Sequence, residues 1–175
     1  MMKKLLLNTV KISERIGLLS GVVAAVFVTG ISLIVFWGVI MRYVFNHPQV
    51  WVDPSSIYMM IGLTFIGASY AMQKEKHVRV DVIIGLFNKR QQMIIQIVTY
   101  LIALVYTLIL GILAFNMAYS SFLVDRRDAT VIETPLFIPQ SSIPIGCAFL
   151  LISIIGKMVG NICVLKGWMD KTEST

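Results

Sequence analysis

Charged residues along this chain fall in clusters, and the segments between the clusters carry none. Arg15 to Arg42 encloses 26 uncharged residues, Asp53 to Lys74 encloses 20, Arg90 to Asp125 encloses 34, and Glu133 to Lys157 encloses 23. A helix rises about 1.5 Å per residue, so about 20 residues cross about 30 Å of hydrocarbon, and each of the four segments is long enough. Backbone polar groups cannot be left unpaired in lipid, which restricts spanning segments to helices or closed barrels. Ten-residue strand alternation is absent, so the pattern predicts helices. The expected fold is an all-α integral membrane protein forming a single membrane domain over 1–175, with spans at about 17–41, 55–73, 92–122 and 139–164.

Two shorter stretches have a helical period without the length to span, and both predict surface helices. Over 3–15, Leu5, Thr9 and Ile12, with Ile16 beyond, share one face, while Lys4, Lys11 and Arg15 lie off it. Over 78–88, Val82, Ile83, Leu86 and Phe87 line one side, and Asp81 and Asn88 lie elsewhere. That spacing suits an amphipathic helix resting in the headgroup layer between the second and third spans. The third apolar segment would reach about 51 Å as a helix, so it must tilt or project, and Asn116, Tyr119, Ser120 and Ser121 make its far end the projecting one. Pro135, Pro139 and Pro144 predict an extended approach to the fourth span and a helix start near Pro139 or Ser141.

Orientation follows from the cations. Twelve of the fifteen Lys and Arg residues lie before the first span, between the second and third, or after the fourth; only Arg42, Arg126 and Arg127 lie on the other side. The positive-inside rule puts both termini in the cytoplasm, N-in and C-in. The net charge of +6 is then topology and lipid-headgroup contact, with no nucleic acid needed to explain it. The charged start at Met1 to Lys4 suits a signal peptide, but the apolar run from near Gly17 exceeds the roughly 7–15 residues of such a segment. It ends in Trp37 and Arg42 instead of small residues, so a retained span is expected.

Candidate chemistry narrows the picture mainly by its absence. No Asp, Glu, Lys, Arg or His sits near the middle of any span, and Lys157 lies close enough to the inner end of the fourth to snorkel. Ion-coupled carriers keep such groups despite a cost of about 2.5–3.5 kcal/mol, so this chain is not expected to transport by itself. His47 and His77, the only histidines, fall on opposite sides of the bilayer, which excludes a bis-histidine haem and leaves Ser69, Ser120 and Ser141 without an intramembrane base. Cys147 and Cys163 are about 24 Å apart on one helix and read as packing residues. No metal-ligand spacing or phosphate loop is found, so no cofactor and no enzyme activity are expected.

What remains lies at the span ends and on helix surfaces. Arg42, His47, Trp51 and Asp53 surround the first outer turn, with Trp37 and Tyr43 the amphipathic rings of a membrane interface. Asp53 before Pro54 and Ser55 reads as a helix cap or as an ion pair with Arg42 or with a partner subunit, and the readings are compatible. Gly62, Gly67, Ala68, Ser69, Gly111, Ala114, Gly146, Gly156 and Gly160 supply small surfaces for helix contact, within the bundle or with a partner.

In order, Arg42-Tyr43-Val44-Phe45, Trp51-Val52-Asp53, Gly67-Ala68, His77-Val78-Arg79-Val80-Asp81 and Thr134-Pro135 through Pro139 to Pro144-Ile145-Gly146 resemble the small permease subunit of TRAP transporters, the DctQ-like family. The resemblance runs from about residue 12 to 165 and lies in the ordered set, not in any one motif. It implies a multi-pass protein of the bacterial inner membrane, paired one-to-one with a large permease subunit and served by a periplasmic substrate-binding protein. It implies sodium-driven uptake of an organic acid: a C4-dicarboxylate, sialic acid or another sugar acid, with an overall leaning to the sialic-acid kind. The large subunit would carry substrate and ion sites and move, while this chain would enlarge a static scaffold. Arg42, Trp51 and Asp53 would then lie at the outer face near the docked binding protein, and His77 to Asp81 would start the horizontal helix at the inner face. Gly67 and Pro139 complete the set of candidate partner contacts. One departure is Asp53-Pro54, where many relatives have Glu and no proline. Two rival readings are an anchor or assembly subunit of an unrelated membrane complex and a small dimeric exporter.

Overall fold

A computed structural model describes residues 2–74, 89–130 and 132–165 as helices and short connections. Four helices account for nearly all of it: α1 (Met2–Tyr43), α2 (Val52–Gln73), α3 (Lys89–Leu123) and α4 (Phe137–Leu165). No strand occurs among the described residues, and all four helices are long and apolar enough to cross a membrane. The surface helix expected over 78–88, with His77 and Asp81, lies outside the described residues.

The first helix corrects one expectation. The segment 3–15 is not a separate element: α1 runs unbroken through 42 residues, about 63 Å. No proline interrupts it, and Gly17 packs where it might have broken the helix, since a Cβ there would lie 2.2 Å from Cγ of Gln73. The face turned inward is Val10, Ser13, Gly17 and Ser20, and Ile12 lies exposed off it. Small residues win here because contact between helices in a membrane is made by close approach.

Helices α1, α2 and α4 pack on one another in a three-helix core, and α3 leans chiefly on α4. The contacts are made across small residues: Gly21 against Tyr70, Gly38 against Val52, Gly62 against Phe27, and Gly156 against Ser13. Between α2 and α4, the Ser69 hydroxyl donates to the Phe149 carbonyl (3.2 Å) and lies 2.8 Å from the Ser153 hydroxyl. With Ser69 donating to the carbonyl, Ser153 donates to Ser69, so both fully buried hydroxyls are satisfied. At one end, Gln73 Nε2 donates to the Ser13 carbonyl (3.0 Å), fastening α2 to α1. Asn161 Nδ2 donates to Gln96 Oε1 (3.2 Å), fastening α4 to α3.

The fourth helix begins at Phe137, earlier than the Pro139 or Ser141 start expected, so Pro139 sits in its first turn and Pro144 inside it. A first-turn proline lacks only an N–H that would be unbonded anyway. Pro144 does remove a bond within the helix.

Candidate functional site

The end of the bundle that carries the α1–α2 and α3–α4 connections holds two ion pairs and a tyrosine–carboxylate bond between elements. α1 closes with Asn46 at φ 50°, a left-handed conformation that asparagine tolerates, and the His47 amide donates to the Met41 carbonyl (2.9 Å). This tight reversal sets α2 antiparallel beside α1. Its N-cap is Trp51, with helical backbone angles and no side-chain cap, so Asp53 is not the capping residue. Asp53 stands in the first turn, where an acid suits the helix dipole, and its Oδ2 lies 3.6 Å from Arg42 Nη2. The ion-pair reading thus holds at this position. Both side chains are largely exposed, 54% for Arg42 and 75% for Asp53.

Beneath the pair is a cleft of about 200 Å³ lined by Val35, Gly38 and Val39 of α1 and by Gln49 and Val52. Trp51 flanks it, its indole N–H donating to Gln49 Oε1 (3.3 Å).

The α3–α4 connection folds back on itself. The Asp128 amide donates to the Thr134 carbonyl (2.9 Å), and the Leu136 amide to the Arg126 carbonyl (2.9 Å). Asp125 and Glu133 adopt positive φ values of 47° and 49°, which turn the chain at the two ends of the loop. Tyr58, one and a half turns into α2, donates its hydroxyl to Asp128 Oδ2, and Thr130 adds a second hydroxyl at 3.1 Å. The bond from Tyr58 holds the Asp128 carboxyl below its ordinary range, because it favours the ionised form. Arg127 pairs with Asp125 across two residues (3.2 Å).

The residues expected at partner contacts therefore divide. Arg42, Trp51 and Asp53 come together and stay exposed at one turn. Gly67 faces α1, with room for a Cβ 3.5 Å from Ala24, and Pro139 is buried in the first turn of α4. His77 and Asp81 lie outside the described residues. The Tyr58–Asp128 tie had no sequence signal, since the partners are 70 positions apart and one lies in an irregular loop.

Chemically, this end presents paired charges and hydroxyls that can bind and orient a partner group. Among the described residues, no three His, Cys, Asp or Glu side chains gather as a metal site. Among the described residues, the fully buried polar side chains inside the spans are serines and a threonine: Ser20 donates to the Gly17 carbonyl and Thr107 to the Ala103 carbonyl.

Residues 31–164 match the family described as tripartite ATP-independent periplasmic transporters, DctQ component. The chain is 26% identical over 148 residues to the C4-dicarboxylate TRAP transporter small permease protein DctQ of Vibrio cholerae, covering 72% of this chain and 63% of that protein. It is 27% identical over 137 residues to a protein of Haemophilus influenzae whose name assigns it to the TRAP transporter small permease proteins, covering 77% of this chain and 76% of that one. The chain thus spans less than two thirds of the length of the Vibrio relative.

Proposed function

The chain belongs to the DctQ component family of tripartite ATP-independent periplasmic transporters, whose match covers residues 31–164, and on that premise we propose that it is the static scaffold subunit of such a transporter. It pairs one-to-one with a large permease subunit and supports sodium-driven, binding-protein-dependent uptake of an organic acid. The observation that carries this reading is the composition of the bundle interior. Among the described residues of the spans, the fully buried polar side chains are serines and a threonine, several of them bonded to carbonyls of their own helix, and the buried Oε1 of Gln140 is likewise uncharged. A subunit that moved an ion or a carboxylate would need an ionisable group there. A subunit that only holds a neighbour in place needs packed helices.

The packing also suggests where the neighbour sits. Helix α3 leans mainly on α4 and leaves an open, apolar groove of about 390 Å³ toward α2, lined among others by Phe65, Tyr106, Ile109, Leu113 and Ile143. Exposed apolar area alone draws no partner out of lipid, so a groove into which a helix can fit is the better guide. We assign the large subunit to this side of α3. With both termini in the cytoplasm, the α1–α2 and α3–α4 connections face the periplasm, where the binding protein docks. The name of the Vibrio relative makes a C4-dicarboxylate the first substrate to try.

The test is co-purification with the products of neighbouring genes, followed by sodium-dependent uptake in liposomes with and without this chain. A one-to-one complex whose uptake is lost on omission is the expected result. A lone chain that transports by itself would overturn the reading and favour the exporter. Recovery with an unrelated membrane complex would favour an anchor subunit.

A further inference from the structure

We propose that the cleft at the α1–α2 turn is a binding site for a zwitterionic phospholipid. Its phosphate would lie on the Arg42 guanidinium, its ammonium on the Asp53 carboxylate, and one acyl chain along Val35 and Val39. The proposal stands on the geometry of the turn and on the spans, and does not depend on which partner the bundle meets.

Arg42 is the first charge after 26 uncharged residues, so its side chain is at headgroup level when α1 spans the bilayer. The Arg42–Asp53 separation of 3.6 Å is longer than the 2.7–2.9 Å or so of a charge-assisted hydrogen bond. The pair is close enough to attract and too far apart to be saturated. A guanidinium has five N–H donors, and more than half of this side chain is exposed, so most of them are free to meet a phosphate. Asp53, three-quarters exposed, keeps its lone pairs for a cation. Two adjacent charges of opposite sign fit a headgroup that carries both signs. An anionic headgroup would gain Arg42 but would face the Asp53 carboxylate.

The cleft also fits an acyl chain. It runs from the ion pair down α1 to Val35, seven residues or about 10 Å toward the membrane centre. Val52 packs onto Gly38 so closely that a Cβ on the glycine would lie 2.6 Å from Val52 Cγ1, and the two residues form an apolar floor where α1 and α2 meet. A free phosphate would use only the top of this cleft. A phospholipid would use all of it.

The test uses the full chain, stripped of lipid in detergent, with native mass spectrometry and thermal unfolding as readouts. Dioleoyl phosphatidylethanolamine should stay bound and raise the melting temperature, while dioleoyl phosphatidylglycerol and the chain-free headgroup glycerophosphoethanolamine should not. Arg42→Gln should weaken phosphatidylethanolamine binding by about tenfold, the loss expected for one charged hydrogen bond. Asp53→Asn should also weaken it and should narrow the preference over phosphatidylglycerol. Val39→Trp, which fills the floor but spares both charges, should reduce binding as well. Far-UV circular dichroism of each variant checks that its helices are intact. Equal retention by Arg42→Gln or Asp53→Asn, or equal binding of phosphatidylglycerol by the unaltered chain, would overturn the site. Full binding of the chain-free headgroup would reduce it to a surface anion contact and overturn the lipid assignment.

Discussion

Gly146 of α4 lies so close to Phe65 of α2 that a Cβ built on it would stand 2.5 Å from the Phe65 carbonyl carbon and 2.6 Å from its Cβ. Backbone cannot move aside as the end of a flexible side chain does, so this contact sets the distance between the two helices. Gly146→Val is therefore expected to cost about 1–3 kcal/mol by overpacking. Gly67→Ala, where the nearest atom would be Ala24 Cβ at 3.5 Å, should be neutral or stabilise by up to about 1 kcal/mol through helix propensity. Thermal unfolding in detergent checks both. A Gly146 variant as stable as the unaltered chain would mean that α2 and α4 lie far enough apart to admit the side chain.

The Ser69–Ser153 contact should register as a coupling. Each single Ser→Ala change leaves a fallback, since Ser153 can bond back to a carbonyl of its own helix and Ser69 keeps the Phe149 carbonyl. Double-mutant analysis should return about 0.6 kcal/mol, the usual size of such bonds between membrane helices. Zero coupling would show that the hydroxyls do not meet.

Acid should loosen the loop that Asp128 fastens. The folded carboxyl titrates below its ordinary range, so its contribution is fully present above the unfolded value and is lost as pH falls through the folded one. From pH 5 to 8 the loop should stay equally resistant to protease, and protection should fall only below about pH 4. Tyr58→Phe removes the main cause of the shift, so the Asp128 resonance should titrate at a higher pH in that variant. An unchanged titration would sink the assignment of Tyr58 as donor.

The Arg42–Asp53 pair should matter little to the stability of the lipid-free chain. Exposed pairs contribute about 0–1 kcal/mol, and this one lacks short hydrogen-bond geometry. Arg42→Gln in lipid-free detergent is therefore expected to shift unfolding by less than about 1 kcal/mol. A larger loss would make the pair a structural tie between α1 and α2.

The helices were legible in the sequence because lipid enforces a simple rule: uncharged runs of sufficient length must form them. Their ends were less so. Phe137 starts α4 ahead of Pro139 because a proline in the first turn costs no bond, and α1 continues through residues 3–15 because nothing in that stretch breaks a helix. The pattern of Leu5, Thr9 and Ile12 pointed to a face for lipid and carried no signal for the packing face, where Val10, Ser13, Gly17 and Ser20 make the contact and smallness outweighs hydrophobicity. The Arg42–Asp53 pairing could be read from charge and a short turn. The Tyr58–Asp128 and Gln73–Ser13 bonds could not, because they depend on how separate helices align.

The length of α1 has a mechanical consequence. Gly17 lies opposite Gln73, the last residue of α2, so the described helix continues for 15 residues, about 22 Å, past the end of its neighbour. Ser13 is clamped there by Gln73 and by Gly156 of α4, and the extension shares the rigid axis of the span. It acts as a pointer: a small tilt of the bundle becomes a larger sweep at Thr9 and Lys11, and a fluorophore placed there would measure the lean of this protein in its membrane.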